Sequence, residues 1–557
     1  MGPAPANPLS SMAAEDMEAK AQQAWARHIR EEHLRGLRFG PRPPKPLDPK
    51  RKIPKQEVPA VSITTPAELE QYVSRFHPVF RYRSTQEQAL LYLLGLLSDL
   101  GRKNGETMEA GIPSATQQGV WDFLVRSPWS AEALDRARVM DFLASGGMDG
   151  QPVDVVIDEV SELKQGKQSV GVARQYLGCA GKTANGQVTV SLHGLVGDYD
   201  VPLCGELYLP EPWASDAERR KKARVPEALP FRTKLEIAWQ LLQRVNATWG
   251  LGIGRVYADP GYGEIKLMRQ LDAAEFAYCL GVKSTFSVRL PAEPLPDAPP
   301  PAPYSGRGRP PKTPQVHCSL HTIAEIRTSL PEQAWRKVAY RRGTDGTELA
   351  REFVAMRVIP AIKAVEGTES WLLLERALDP TSDDPKAYVI TAPVTATLDE
   401  LAQLAHQRRI IERNSYENGK QEVGLGDYQG RSWIGYHHHL AMCWLALTWL
   451  HLYRRRLAPP DAPDASSVAK PAPATTATST QGGAPPVLSL ALPSATVTIV
   501  AAVPAPRALR LPYQVWESVQ QVRRRLCAWF RAVIHLELVI AGIRPSIPEL
   551  SPLPGSP

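Results

Sequence analysis

The stretch Pro152–Val160, PVDVVIDEV, decides how the chain is read. Its core, Val153–Asp158, is a short and largely β-branched run, the mark of a strand buried on both faces. GQVTVSLHGLVG (186–197) follows with a period of two, and VPLCGELYLP (201–210) reads as a third strand. TKLEIAWQLLQRVNATWG (233–250) then carries a helical period and stops near Gly250. RVYADPGYG (255–263) is a strand running into a turn, IKLMRQLDAA (265–274) a helix, and EFAYCLGVK (275–283) another strand.

Three successive strands followed by alternating helix and strand is the order of a ribonuclease H-like mixed sheet, although other α/β folds begin the same way. Upstream, residues 1–60 read as a basic helical or disordered tail, and 61–147 as an all-helical, DNA-binding domain. TTPAELE (64–70) offers Thr65 as N-cap, Pro66 at the first helical position and Glu68 closing a capping box. Ser84 and Glu87 repeat that signature before ALLYLLGLLSDL (89–100). Residues 150–290 form the first part of the α/β domain, and 291–398 a strand-rich insertion that opens with a proline-rich basic loop. The final helices of the domain occupy 399–456, a disordered linker 457–510, and an amphipathic helix 511–545.

Composition narrows the partners without choosing among them. The chain has 557 residues, 52 of them proline, and a formal net charge of +7 from 65 basic and 58 acidic side chains. That balance permits a polyanionic partner without requiring one. Six cysteines form no C-x-x-C pair and read as small buried hydrophobes in a reducing compartment. HLAMCWLALTWLHLY (439–453) is too short to span a bilayer, and VLSLALPSATVTIVAAVPA (487–505) carries Pro493 and Pro504. The expectation is a soluble, cytoplasmic protein without a membrane partner.

Chemistry enters through carboxylates at strand ends. Asp158 closes VDVVID and Asp259 closes RVYAD, placing both at the carboxyl edge of the sheet, where open α/β sheets build their sites. Glu412 lies on the helix after the insertion. Two such Asp residues and a Glu form a set of hard oxygen ligands suited to Mg²⁺ or Mn²⁺ in a two-metal phosphoryl-transfer site. Strand-end Asp residues also serve simply to cap loops.

The wording around these residues resembles the bacterial DDE insertion-sequence transposases. VVIDEVSELKQGKQSVGVARQYLGCAGKTANGQVTVSLH (155–193) is similar to the first catalytic block of that group. YLPEPWASDAERRKKARVPEALPFRTK (208–234) resembles the segment after it, RVYADPGYGE the block of the second Asp, and IERNSYENGKQEVGLGDYQGRSWIGYHHHLAM (411–442) the block of the catalytic Glu. The resemblance runs over about residues 65–455. It implies a ribonuclease H-like domain interrupted before its last catalytic helix by a strand-rich insertion. It also implies two Mg²⁺ or Mn²⁺ ions held by Asp158, Asp259 and Glu412. Arg408 and Lys420 would hold phosphates of double-stranded DNA, both transposon ends and target. Synapsis of two ends implies at least a homodimer on DNA, in a cytoplasmic, nucleoid-associated protein that carries out cut-and-paste transposition at terminal inverted repeats.

Several positions depart from that pattern. Val160 stands where Thr or Ser is usual, Pro260 where a small residue is, and Ala405 in place of the Tyr of the Y-R-E-K signature. The interval from Glu412 to Lys420 is one residue longer than usual, so Glu417 rivals Glu412, and Glu159 rivals Asp158 in a shifted register. These departures keep open a catalytically degenerate or domesticated DNA-binding protein. GRGRP (306–310) resembles an AT-hook core, with Arg307 and Arg309 as minor-groove contacts, against the plainer reading of a soluble basic linker. His437–His439 cannot converge on one ion from a helix and instead pack or face DNA. Trp335 and Trp371 are core aromatics or base-stacking platforms.

Overall fold

The computed structural model describes residues 67–456, with breaks at 113, 147–149, 197–198, 292–318, 343–347, 364, 380 and 382–384. Beyond these it describes an antiparallel pair, Val487–Leu492 with Ala495–Val500, inside the stretch read as a disordered linker, and Arg523. The expected capping residues Thr65 and Pro66, the basic loop with Arg307 and Arg309, and most of the C-terminal helix lie outside the described residues.

The described residues of the main stretch divide into two units, one up to Phe123 and the other from Leu124 onward. Helices α1 (Ala67–Ser74), α2 (Arg83–Leu97), α3 (Gly105–Gly111) and α4 (Gln117–Val125) follow one another here. In the first unit Leu69, Phe76, Phe80, Leu93, Leu96 and Phe123 are buried, each contributing about 1.5–3 kcal/mol. The anticipated Ser84 cap is not made. Helix α2 starts two residues earlier than that cap requires, its N-cap Tyr82 makes no side-chain cap bond, and Glu87 pairs with Arg83 at 3.1 Å. A true capping box occurs at α3, between Asn104 and Thr107.

In the second unit, α5 (Ala131–Ser145) packs with the sheet elements although the sequence placed it in the N-terminal helical unit. Its Arg138 is fully buried and bonds Asp135, the Leu203 carbonyl at 3.2 Å and the Thr448 hydroxyl at 3.0 Å. The strands are β1 (Val153–Leu163), β2 (Ala173–Leu177), β3 (Lys182–Val196) and β4 (Tyr199–Leu207). After α6 (Lys234–Gln243) comes β5 (Ile253–Ala258), and after α7 (Ile265–Ala273) comes β6 (Ala277–Gly281). Short β7 (Ser287–Arg289) and β8 (His321–Thr322) precede β9 (Arg336–Arg342), β10 (Glu348–Ile362), β11 (Val365–Glu366), β12 (Ser370–Arg376) and β13 (Lys386–Ile390). Helix α8 (Leu398–His406), a π-helical turn (Glu412–Glu417), α9 (Asn418–Glu422) and α10 (Trp433–Arg456) close the unit.

All thirteen of these strands join one mixed sheet. Across its first half the order is β4-β3-β1-β5-β6, with β3 antiparallel to its neighbours and β5 and β6 parallel to β1. The strand-rich stretch continues this sheet, because β13 pairs antiparallel with β6, then β12 with β13 and β10 with β12. One face of β1 presents Val153, Val155 and Ile157 to the core containing Ile237 and Leu241 of α6. The other presents Val156 to Leu401, Ala402 and Ala405 of α8 and to Ile411. Both faces are covered, as the β-branched run predicts. Among the described residues no helix is long and apolar enough to cross a membrane.

Candidate active site

Strand parity places the first carboxylate. On β1 successive side chains alternate faces, so Asp158 follows Val156 onto the α8 side and Glu159 turns to the α6 side. Asp158 does not close its strand as expected, since β1 runs on to Leu163 against β3. Its parallel ladder with β5 does end there, at Ile157 beside Ala258, and Asp259 is the next residue out of β5. Asp158 and Asp259 thus follow the last paired residues, Ile157 and Ala258, of adjacent parallel strands whose axes are spaced about 4.8 Å.

The surroundings fix the charge of this pair. Asp158 is 8% exposed, and its Oδ1 accepts the Glu159 amide at 2.7 Å. Burial pushes its pKa up to about 6; Arg408 opposes that rise and the neighbouring Asp259 adds to it. Asp259 is half-exposed, with Oδ1 accepting the Gly261 amide at 2.9 Å. Pro260 is accommodated inside that turn, where the Tyr262 amide bonds the Asp259 carbonyl at 3.0 Å.

Arg408 closes the site from the helical side. Its Nη1 lies 2.5 Å from Asp158 Oδ2 and its Nη2 3.2 Å from Glu412 Oε1. Burial works against the Arg408 charge, but Asp158, Asp259 and Glu412 outweigh it and hold its pKa above the usual value. One guanidinium therefore sits in the field of all three carboxylates. Among the described residues no group of three His, Cys, Asp or Glu side chains is drawn together tightly enough to hold an ion as it stands.

The rival positions separate. Glu159 is engaged on the other face, accepting from Lys234 at 2.6 Å and from the Tyr262 hydroxyl at 3.1 Å. Glu417 is exposed and bonds Gln421 at 3.4 Å. The extra residue between Glu412 and Lys420 is absorbed by the π-helical turn Glu412–Glu417, since a π-turn takes up one residue more than an α-turn. Lys420 then reaches β1 past Asp158, donating to the Ser161 carbonyl at 2.9 Å and pairing with Glu162 at 3.4 Å.

A layer behind the carboxylates was not legible in the sequence. The Tyr416 hydroxyl is 2.9 Å from Ser191 Oγ, which bonds the Asp158 carbonyl at 3.3 Å and His193 Nε2 at 3.1 Å. His193 Nδ1 lies 3.3 Å from Asp200 Oδ2, and Asp200 also accepts from Ser415. Ser191, His193 and Asp200 are wholly buried, so this Ser-His-Asp order offers no substrate access. The one available signal was the run of polar residues at i, i+2 in β3.

Other expectations resolve simply. His438 and His439 are buried in packing, and the half-buried His437 Nδ1 is 2.9 Å from the Trp433 carbonyl. Trp335 and Trp371 are core aromatics, 8% and 2% exposed. Cys179 is exposed, unlike the buried Cys204, Cys279 and Cys443, because it sits in the turn between β2 and β3.

With this geometry in place, the kinship of the chain can be read. Residues 75–347 match the family described as DDE superfamily endonuclease. That stretch is similar to a DDE superfamily endonuclease domain. The matched range contains Asp158 and Asp259 and ends before Glu412. Over 206 residues the chain is 32% identical to a probable transposase for insertion sequence element IS701 from Microchaete diplosiphon. That match covers 36% of this chain and spans 50% of the relative's length, and it makes the DDE domain kin to insertion-sequence transposases. A solved piggyBac transposase synaptic complex with hairpin DNA overlaps 74% of this chain and 79% of its own, at 11% identity. Its TM-score of 0.27 is too low to carry an argument.

Proposed function

We propose that this protein is a cut-and-paste DNA transposase whose DDE set is Asp158, Asp259 and Glu412 on a ribonuclease H-like sheet. The observation that carries the reading is the junction of Asp158 and Asp259 at the ends of one parallel ladder, with Glu412 tied to Asp158 through Arg408. The strand order β4-β3-β1-β5-β6, antiparallel then parallel, supports the ribonuclease H-like assignment, and the β10–β13 stretch is its inserted extension.

In donor chemistry, three carboxylates suit a pair of hard divalent ions once drawn together. Three carboxylates gather around a single cation, and burial of Asp158 beside Asp259 leaves negative charge short of compensation. Mg²⁺ or Mn²⁺ bound there would activate a water or 3′-hydroxyl and stabilise the leaving oxygen of the phosphodiester. The chain's own residues do the remainder. Asp158 and Asp259 fix the donors on rigid strands, Glu412 brings the third from the π-turn, and Lys420 presents an ammonium for backbone phosphate. Arg307 and Arg309 would add sequence-independent affinity for double-stranded DNA, and two copies would pair the transposon ends.

The test uses DNA carrying the gene's own flanks, where inverted repeats are expected. The full chain should nick that DNA in Mg²⁺ or Mn²⁺ and leave it intact in EDTA. Binding without any metal-dependent cleavage would instead establish a degenerate DNA-binding protein.

A further inference from the structure

Arg408 stands where a cation is needed. Its guanidinium touches Asp158 at 2.5 Å and Glu412 at 3.2 Å and lies in the field of Asp259. A planar fork spanning two carboxylates is a geometrically specific pairing, and here its Asp158 arm is part-buried while its Glu412 arm is exposed to water. A divalent ion drawn to the same oxygens meets a cation already bound to them.

We propose that Arg408 is a resident counter-cation of the carboxylate site, which must swing out of the Asp158–Glu412 gap before a divalent ion can enter. The inference rests on the reading of Asp158 and Glu412 as metal ligands. Arg408 sits in the short helical stretch Gln407–Arg409 between α8 and the π-turn, so its side chain can leave without disturbing a strand. Once displaced it is a free, permanently charged fork beside the site, and the phosphate of an incoming DNA strand matches it in charge and bidentate geometry. Ion entry and phosphate capture then favour each other, because both draw on the same released side chain.

The experiment is an Mn²⁺ titration of the full chain without DNA, followed by electron paramagnetic resonance of free Mn²⁺. Arg408→Gln should tighten Mn²⁺ binding roughly tenfold over wild type, a change equivalent to about 1.4 kcal/mol. Arg408→Lys, whose point charge cannot span both carboxylates, should fall between. Arg409→Gln is the control, removing an equal charge from the exposed neighbouring position, and should change affinity less than about twofold by screening. Equal effects of Arg408→Gln and Arg409→Gln would reduce Arg408 to a diffuse electrostatic contribution and overturn the proposal. So would unchanged or weaker binding in Arg408→Gln while Mn²⁺ still binds wild type. Failure of every variant and of wild type to bind Mn²⁺ would remove the metal reading of the site, and the proposal with it. Thermal unfolding of each variant checks that it is folded.

Discussion

The hydroxyl of Tyr416 lies 2.9 Å from that of Ser191, joining the π-turn that carries Glu412 to the strand beside Asp158. Ser191 also holds the Asp158 carbonyl, so the segments carrying two carboxylates 254 residues apart in sequence, Asp158 and Glu412, share one polar anchor. Tyr416→Phe removes the hydroxyl and keeps the ring against His193. The expected stability loss is about 0.5–1.5 kcal/mol. The cleavage rate should fall roughly 10- to 100-fold from loosened positioning of Glu412, with DNA affinity unchanged. Single-turnover cleavage and a binding isotherm on the same preparation decide it; a parallel loss of affinity would mean the bond merely holds the fold.

Sequence reading went far where one residue type has one physical use. The β-branched run of β1 announced a doubly covered strand, and the acids after Ile157 and Ala258 sit where the β1–β5 ladder ends, although β1 itself runs on to Leu163. It went less far where tertiary packing reverses a local rule. In β3, Gln187, Thr189, Ser191 and His193 alternate with apolar residues, which by itself describes a strand with one wet face. All four are buried, because that polar face meets hydroxyl and ring partners such as Tyr416 and Tyr436. The spacing from Glu412 to Lys420 exposed an extra residue, but only the backbone could reveal that a π-turn absorbs it. Arg408 was legible as a cation near the Glu, and its bridge to Asp158 depended on a fold that brings residues 250 apart together.

Asp259 offers the cleanest test of chemistry, since its neighbour Pro260 cannot substitute for it. Asp259→Asn preserves shape and the bond to the Gly261 amide while removing the charge a divalent ion needs. Cleavage in Mg²⁺ should drop by orders of magnitude. Binding of the same DNA without metal should persist or tighten slightly, because one phosphate-repelling charge is gone. Cleavage at the wild-type rate would exclude Asp259 from the site.

Arg138 tests what ties α5 to the sheet. It is fully buried with Asp135, and burial, the largest influence, lifts the Asp135 pKa to about 6 even though Arg138 works against it. Arg138→Ala strands that carboxylate and frees the Leu203 carbonyl and Thr448 hydroxyl, so a loss of about 3–5 kcal/mol is expected. Arg138→Met with Asp135→Leu should recover much of it, since a buried ion pair contributes little over well-packed apolar side chains. Urea unfolding of the single and double variants measures both.

The buried histidines of α10 should make the fold acid-sensitive. His438 has Nδ1 2.8 Å from the Leu124 carbonyl and Nε2 2.8 Å from that of Trp129, and its ring stacks on Trp129 at 3.7 Å. Burial is the largest influence and lowers the pKa of His438 to about 4, against the two carbonyls, which favour the proton; His439 is likewise lowered to about 4. A base whose folded pKa lies below its unfolded value of about 6.5 binds fewer protons when folded. Its contribution is therefore complete above about pH 6.5 and is lost as pH falls toward 4. Between pH 7 and pH 5 each histidine should withdraw about 2 kcal/mol. His438→Gln removes one titrating ring, so its unfolding free energy should fall about 2 kcal/mol less than that of wild type over the same interval. Comparing variant with wild type cancels the opposite trend from Asp135, whose raised pKa favours the folded state as pH falls through 6. An identical pH slope in the two proteins would mean that His438 titrates alike in the folded and unfolded chain, and a wild type that gains on the variant as pH falls would mean that its two carbonyl acceptors hold it charged.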